Sequence, residues 1–344
     1  MNPYMAYEAV DTKIITKKSR ILDEEKLEKI LECNTVGQVT EFLRSRYALK
    51  KIIDDIKGQD LHRDDLETIL NRYAVMEIED ILHYFSGPYK DFLQTLLMRF
   101  EIHDLIIILR ELVKGEDMKG IEGRFIHSET YSSVPYTKLV ASKSVPQFID
   151  SLKNTPYYNS LKTITLIEVI KREFHTEMKL QALFYKTLLK KSKKLDLQDQ
   201  QAVHDIVGLK IDLLNVQWIY RAKKYYEVSP EQMLIYSLPG GEKLSFGRLK
   251  KLCYSKSPDE IMRLADQYLR CGIFETDTDI DIVKNIDNFI YEHIKKVRGK
   301  RSIGTALAYI YLLDIIIRDL TAITEGIRYK LPKEQLKKYL ICSK

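Results

Sequence analysis

Glycine and proline are scarce in this chain, 14 and 9 among 344 residues, and strict polar–apolar alternation is rare. Both deficits argue against a sheet architecture with its many tight turns. Cysteine is also sparse. Cys33, Cys253, Cys271 and Cys342 lie far apart, with no C-x-x-C pair and no histidine at ligand spacing. That pattern reads as free buried thiols in a reducing cytoplasm and implies no metal site. The seven histidines, His62, His83, His103, His127, His175, His204 and His293, are scattered singly and assemble no catalytic group. No apolar run is long enough for a membrane span. The most apolar stretch, Thr305 to Ile317, is interrupted by Asp314 and falls short of the roughly 20 residues a bilayer requires. The N-terminus reaches Glu8 and Asp11 before any long apolar segment, so no signal peptide is expected. Leu238-Pro239-Gly240-Gly241-Glu242-Lys243 lacks the G-x-x-x-x-G-K-[ST] frame of a phosphate loop, and neither nucleotide nor cofactor is expected.

Charge excludes a further class. The net charge of +6 is a small excess of 55 Lys and Arg over 49 acids. The two signs are interleaved, whereas a dedicated nucleic-acid binder gathers its cations on one face. Two basic runs, Lys190 to Lys194 and Lys295 to Arg301, keep one rival reading in view: a helical-repeat scaffold for RNA or another protein.

What is abundant is helical periodicity. Apolar residues recur at three- and four-residue steps through most of the chain, which predicts an all-α protein. Between its few breaks a short element appears three times. Ile30, Leu139 and Leu252 each stand five residues before Thr35, Ser144 and Ser257, and Val39, Phe148 and Ile261 follow four residues after. The pattern predicts a helix end, an N-capping hydroxyl and the first core-facing turn of a new helix. A second element runs from Asp104 to Arg110, from Asn215 to Arg221 and from Asp319 to Glu325. Two elements in the same order at nearly one period predict three copies of a unit of about 110 residues. The expected segments are 1–118, 119–233 and 234–344. On a helical wheel Ile102, Leu105, Leu109 and Leu112 share a stripe, while Asp104 and Arg110 fall on its flanks, open to a cavity. Asp104, Arg110, Asn215, Arg221, Asp319 and Arg328 are therefore the candidate partner-facing residues, Arg328 standing in for the arginine that Glu325 replaces.

Several stretches resemble a known family: Ile211 to Tyr226, Arg318 to Pro332, Leu66 to Tyr73, Glu101 to Arg110, Pro135 to Leu139, Thr155 to Tyr157 and Leu238 to Gly241. Their order and spacing over nearly the whole chain resemble the C subunit of V-type and A-type ATP synthases, known as the d subunit in eukaryotic vacuolar ATPases. The resemblance implies a funnel of three similar helical bundles in pseudo-threefold arrangement. It also implies a non-catalytic rotor part, peripheral on the cytoplasmic face of the membrane. Such a part joins the shaft made of the D and F subunits to the membrane proteolipid ring in ATP-linked proton or sodium transport, without nucleic acid and without a span of its own.

Overall fold

The computed structural model describes residues 3–20, 24–45, 63–164, 169, 173–226, 228–274, 279–296 and 302–342. Most of the second basic run, from Val297 to Arg301, and His62 lie outside them. Among the described residues there is helix and no strand, as the periodicity predicts. In chain order the helices are α1 (Pro3–Arg20), α2 (Glu24–Leu31), α3 (Val36–Arg44), α4 (Arg63–Leu82), α5 (Gly87–Gln94) and α6 (Met98–Lys114). Then follow α7 (Tyr136–Val140), α8 (Val145–Ser151), α9 (Tyr158–Leu161), α10 (Glu173–Ser192), α11 (Leu197–Val203) and α12 (Leu209–Tyr225). The last are α13 (Pro230–Tyr236), α14 (Phe246–Cys253), α15 (Pro258–Leu269), α16 (Asp279–Lys296), α17 (Ile303–Arg328) and α18 (Lys333–Lys337).

Two compact units result, Asp64–Lys191 and a larger one made of Met1–Arg63 with Ser192–Lys344. In the larger unit α17 is the hub, packing against α1, α3, α11, α16 and α18. Its 26 residues are mostly buried, including Leu307, Tyr309, Ile310, Leu313, Leu320 and Ile323. This is the most apolar stretch of the sequence, and it is apolar on all sides because protein surrounds it. No described helix is long and apolar enough to cross a membrane. Buried Asp199 joins three of these elements, accepting from the Tyr7 hydroxyl of α1 and from the amide of Ile303 at 2.9 Å. A π-helical turn, His204–Gly208, carries α11 into α12 without a break. In the smaller unit the apolar face of α6, with Ile102, Leu105, Ile108 and Leu109, is buried and α8 packs against this helix.

The first repeated element has one geometry in all three places. Thr35, Ser144 and Ser257 are N-caps with extended backbone, φ −138°, −155° and −139°. Their hydroxyls accept from the amides of Gln38 (3.2 Å), Gln147 (3.4 Å) and Glu260 (3.2 Å). Each of those side chains returns a bond: the amides of Asn34, Lys143 and Lys256 donate to them at 2.7, 2.8 and 2.6 Å. This is a variant of the capping box in which the returned bond goes to the amide one residue before the N-cap, and it fixes where α3, α8 and α15 begin. The flanking residues Ile30, Leu139, Leu252, Phe148 and Ile261 are 0% exposed and Val39 is 1%, so each box is anchored to the core from both sides.

Candidate functional site

The second repeated element places a carboxylate inside the core rather than on a flank. Asp104, midway along α6, is 0% exposed. Its oxygens accept the amide of Ile126 (3.1 Å to each), the amide of His127 (3.0 Å) and Nδ1 of His127 (2.8 Å). Nδ1 of His103 lies 3.1 Å from the same carboxylate. The histidines are therefore not all solitary, although among the described residues no group of His, Cys, Asp or Glu could hold a metal ion. Tyr136 stacks on His127 at 3.6 Å between ring centroids. Arg72 of α4 grips the same segment by its carbonyls, donating to Phe125 (2.7 Å) and Gly123 (2.9 Å). Amides held by Asp104 and carbonyls held by Arg72 leave residues 122–127 one path across the unit.

In the larger unit Asp212 of α12, 0% exposed, accepts the amides of Lys243 (2.6 Å) and Leu244 (3.1 Å). Asp319 of α17, 1% exposed, accepts those of Ile341 (3.1 and 3.0 Å) and Cys342 (2.8 Å). One device thus occurs three times: a buried aspartate on a long helix takes two consecutive amides from a segment that returns over it. Asp104, Asp212 and Asp319 stand 108 and 107 residues apart. This corrects the expected register, in which Asn215 held the middle place. Asn215, 1% exposed, instead makes a two-way bond with Leu238, donating to its carbonyl at 2.9 Å and accepting its amide at 2.7 Å. The loop from Leu238 to Leu244 is the middle returning segment. Gly240 adopts φ +91° within it, and Gly241 lies so close to Asp212 that no side chain fits.

The six candidate residues therefore divide. Asp104, Asn215 and Asp319 are buried, their polar atoms bonded within the chain, to backbone in each case and to the His127 side chain as well for Asp104. Arg110 and Arg221 are exposed, and Arg328 is half-buried beside Glu325 at 2.9 Å. Counting nine residues from the clamp aspartates brings Arg221 and Arg328 into the same helical position, with Val113 in the first copy. Asp212 escaped the sequence reading, yet its even spacing from Asp104 and Asp319 is a signal that could have found it. The capping glutamine or glutamate three residues after each N-cap is another.

Burial shifts two of the clamps. It pushes the Asp212 carboxyl up to about 6, against the opposing pull of the Lys243 and Leu244 amides. It raises Asp319 as well, against the Cys342 and Ile341 amides and Arg318. A carboxyl whose pKa is higher folded than unfolded stabilises the fold fully below its unfolded value, near 4, and that contribution is lost as pH rises through the folded one. Wild type is expected to lose up to about 3 kcal/mol of stability between pH 4 and 7 relative to Asp212→Asn. Denaturant melts of both proteins across that range measure it, the Asp319 contribution cancelling between them. A wild-type-minus-variant difference that stays flat with pH would exclude the shift.

The comparisons with known proteins agree with one another. A family model described as ATP synthase (C/AC39) subunit matches residues 10–339. The C subunit of the A-type ATP synthase of Archaeoglobus fulgidus is 23% identical over 346 residues, covering 98% of this chain and 96% of that protein. The protein of the same name from Desulfurococcus sp. is 24% identical, covering 97% and 90%. That of Methanosarcina mazei is 22% identical over 253 residues, covering 73% and 68%.

Proposed function

The chain belongs to the ATP synthase (C/AC39) subunit family, and from that premise we propose that it is the rotor socket of an A/V-type ATP synthase, a non-catalytic coupling between the central shaft, made of the D and F subunits, and the membrane proteolipid ring. It works at the cytoplasmic face, in ATP-linked proton or sodium transport. The observation that carries this reading is the threefold recurrence of two devices at near-constant spacing, the capping boxes and the buried aspartate clamps. Local geometry repeated three times supports segments 1–118, 119–233 and 234–344 as copies of one helical bundle. Such copies about a pseudo-threefold axis leave a funnel-shaped opening for a shaft. The packing of α1 and α3 against α17 brings the first copy onto the last, which a closed arrangement requires. A part that transmits torque needs stiff helices and broad interfaces rather than reactive groups, and clamps that tie each returning segment to its long helix supply stiffness.

The test is retention of the chain by the D–F pair and, separately, by the detergent-solubilised proteolipid ring. Both are expected to retain it, in the presence of added RNA as in its absence. Retention by neither overturns the reading, and ATP hydrolysis by the isolated chain would overturn its non-catalytic character.

A further inference from the structure

The larger unit contains an open groove of about 500 Å³ bounded by α12, α16, α17 and the C-terminal segment. Its floor includes Ile282, Ala322 and Ile341. Three large apolar or aromatic side chains on its walls face solvent, Tyr225 at 55%, Tyr339 at 46% and Val283 at 39%. Arg221, Lys284 and Arg318 also line it, and the one acid among the lining residues, Asp287, is ion-paired with Arg318. Tyrosine and arginine around an apolar floor are the composition of protein-interface centres, where a buried anchor is ringed by groups that bind its flanks.

Charge and shape select the occupant. Arg318 is taken up by Asp287, but Arg221 is exposed at the rim and the lining keeps an excess of positive charge, which favours a negatively charged partner, and guanidinium groups pair best with carboxylates held in their plane. A lipid chain would want a continuous hydrocarbon slot, yet four charged side chains interrupt this one. A second copy of the chain would bring the same positive groove to a twofold interface and set like charges against each other.

The same character recurs in the smaller unit. There a groove of about 280 Å³ runs along α6, lined by Ile106, Leu109 and Val113 with Arg110 and Lys114. Leu109 and Val113 stand five and nine residues after Asp104, as Gln217 and Arg221 of the larger groove stand five and nine after Asp212. One face of the repeated helix thus carries an apolar, cation-edged groove in both units.

We propose that the larger groove seats an acidic segment of a protein partner, an apolar side chain entering over Ala322 and Ile341 while a flanking carboxylate meets the exposed Arg221. The inference rests on the rotor reading, in which that partner is the shaft. Binding of the full chain to the D–F pair is measured for wild type, Arg221→Glu, Arg221→Lys and Ala322→Trp, with the proteolipid ring and anionic phospholipid vesicles as parallel probes. Arg221 is exposed, so its reversal is expected to leave the unfolding midpoint unchanged. Arg221→Glu should weaken shaft binding at least tenfold and flatten its salt dependence, Arg221→Lys should keep most of the affinity, and Ala322→Trp should weaken binding at every salt concentration. Wild-type shaft binding that all three variants retain overturns the groove and leaves the rotor reading standing. Loss of ring or vesicle binding by these variants, with shaft binding intact, overturns the acidic protein segment as occupant. Absence of wild-type shaft binding overturns the groove's occupant, and absence of both shaft and ring binding overturns the rotor reading with it.

Discussion

Replacing Asp104 with alanine is expected to destabilise the protein by about 3–5 kcal/mol, because the change strands a set of buried donors rather than deleting one contact. The amides of Ile126 and His127 and Nδ1 of His127 all donate to this carboxylate, which is 0% exposed. The Ile126 amide loses its partner where water does not reach, and His127, whose side chain is 14% exposed, loses both of its bonds to the carboxylate. The Arg72 bonds to the carbonyls of Phe125 and Gly123 hold the segment from one side only. Its amide hydrogens should therefore exchange faster in the variant while those of α4 keep their protection. Asp104→Asn, which keeps an acceptor oxygen but turns its amide towards another donor, should fall between. Equilibrium unfolding in urea measures all three proteins. An Asp104→Ala variant within about 0.5 kcal/mol of wild type, the range of ordinary surface changes, would remove the clamp from any structural role.

Gly241→Ala is expected to cost a similar amount, about 3–5 kcal/mol, by acting on the middle clamp without touching the aspartate. A Cβ at this position would lie 1.9 Å from Oδ1 and 2.8 Å from Cγ of Asp212. The residue has no left-handed backbone, so the objection is space alone. To admit the methyl group, either the carboxylate withdraws from Lys243 and Leu244 or the loop lifts off α12. Both outcomes leave buried polar groups unpaired. Gly208, on the helix below, leaves little slack: its own Cβ would lie 3.2 Å from the amide nitrogen of Glu242 and 3.4 Å from the carbonyl oxygen of Gly240. A double-mutant cycle gives the sharper test. In an Asp212→Ala background the methyl group meets no carboxylate, so Gly241→Ala should cost much less there than in wild type. Additive effects would show that the two residues do not act through one contact.

The parts legible in the sequence are those whose chemistry closes within about four residues. The capping hydroxyls of Thr35, Ser144 and Ser257 satisfy amides three residues on, and the flanking apolar positions follow from helical spacing; both leave a fixed pattern in the string. The aspartate clamps leave a weaker one. Their partners lie 22–23 residues away for Asp104 and Asp319 and 31–32 for Asp212, a distance that loop length changes freely. The register error at Asn215 has the same origin. Asp212 and Asn215 are three residues apart on α12, on one face and both buried. A shift of one turn therefore keeps the apolar stripe aligned while exchanging the carboxylate for the amide.

By itself the sequence determined an all-helical chain of the ATP synthase (C/AC39) subunit family and the starts of its repeated helices, because hydrophobic period and capping chemistry act locally. Only the tertiary structure decided which polar residues turn inward. Asp104, Asp212 and Asp319 are interior because returning segments bring unpaired amides to them. Arg110 and Arg221 remain at the surface beside open grooves, because the segments that return in each unit leave that face of the helix uncovered.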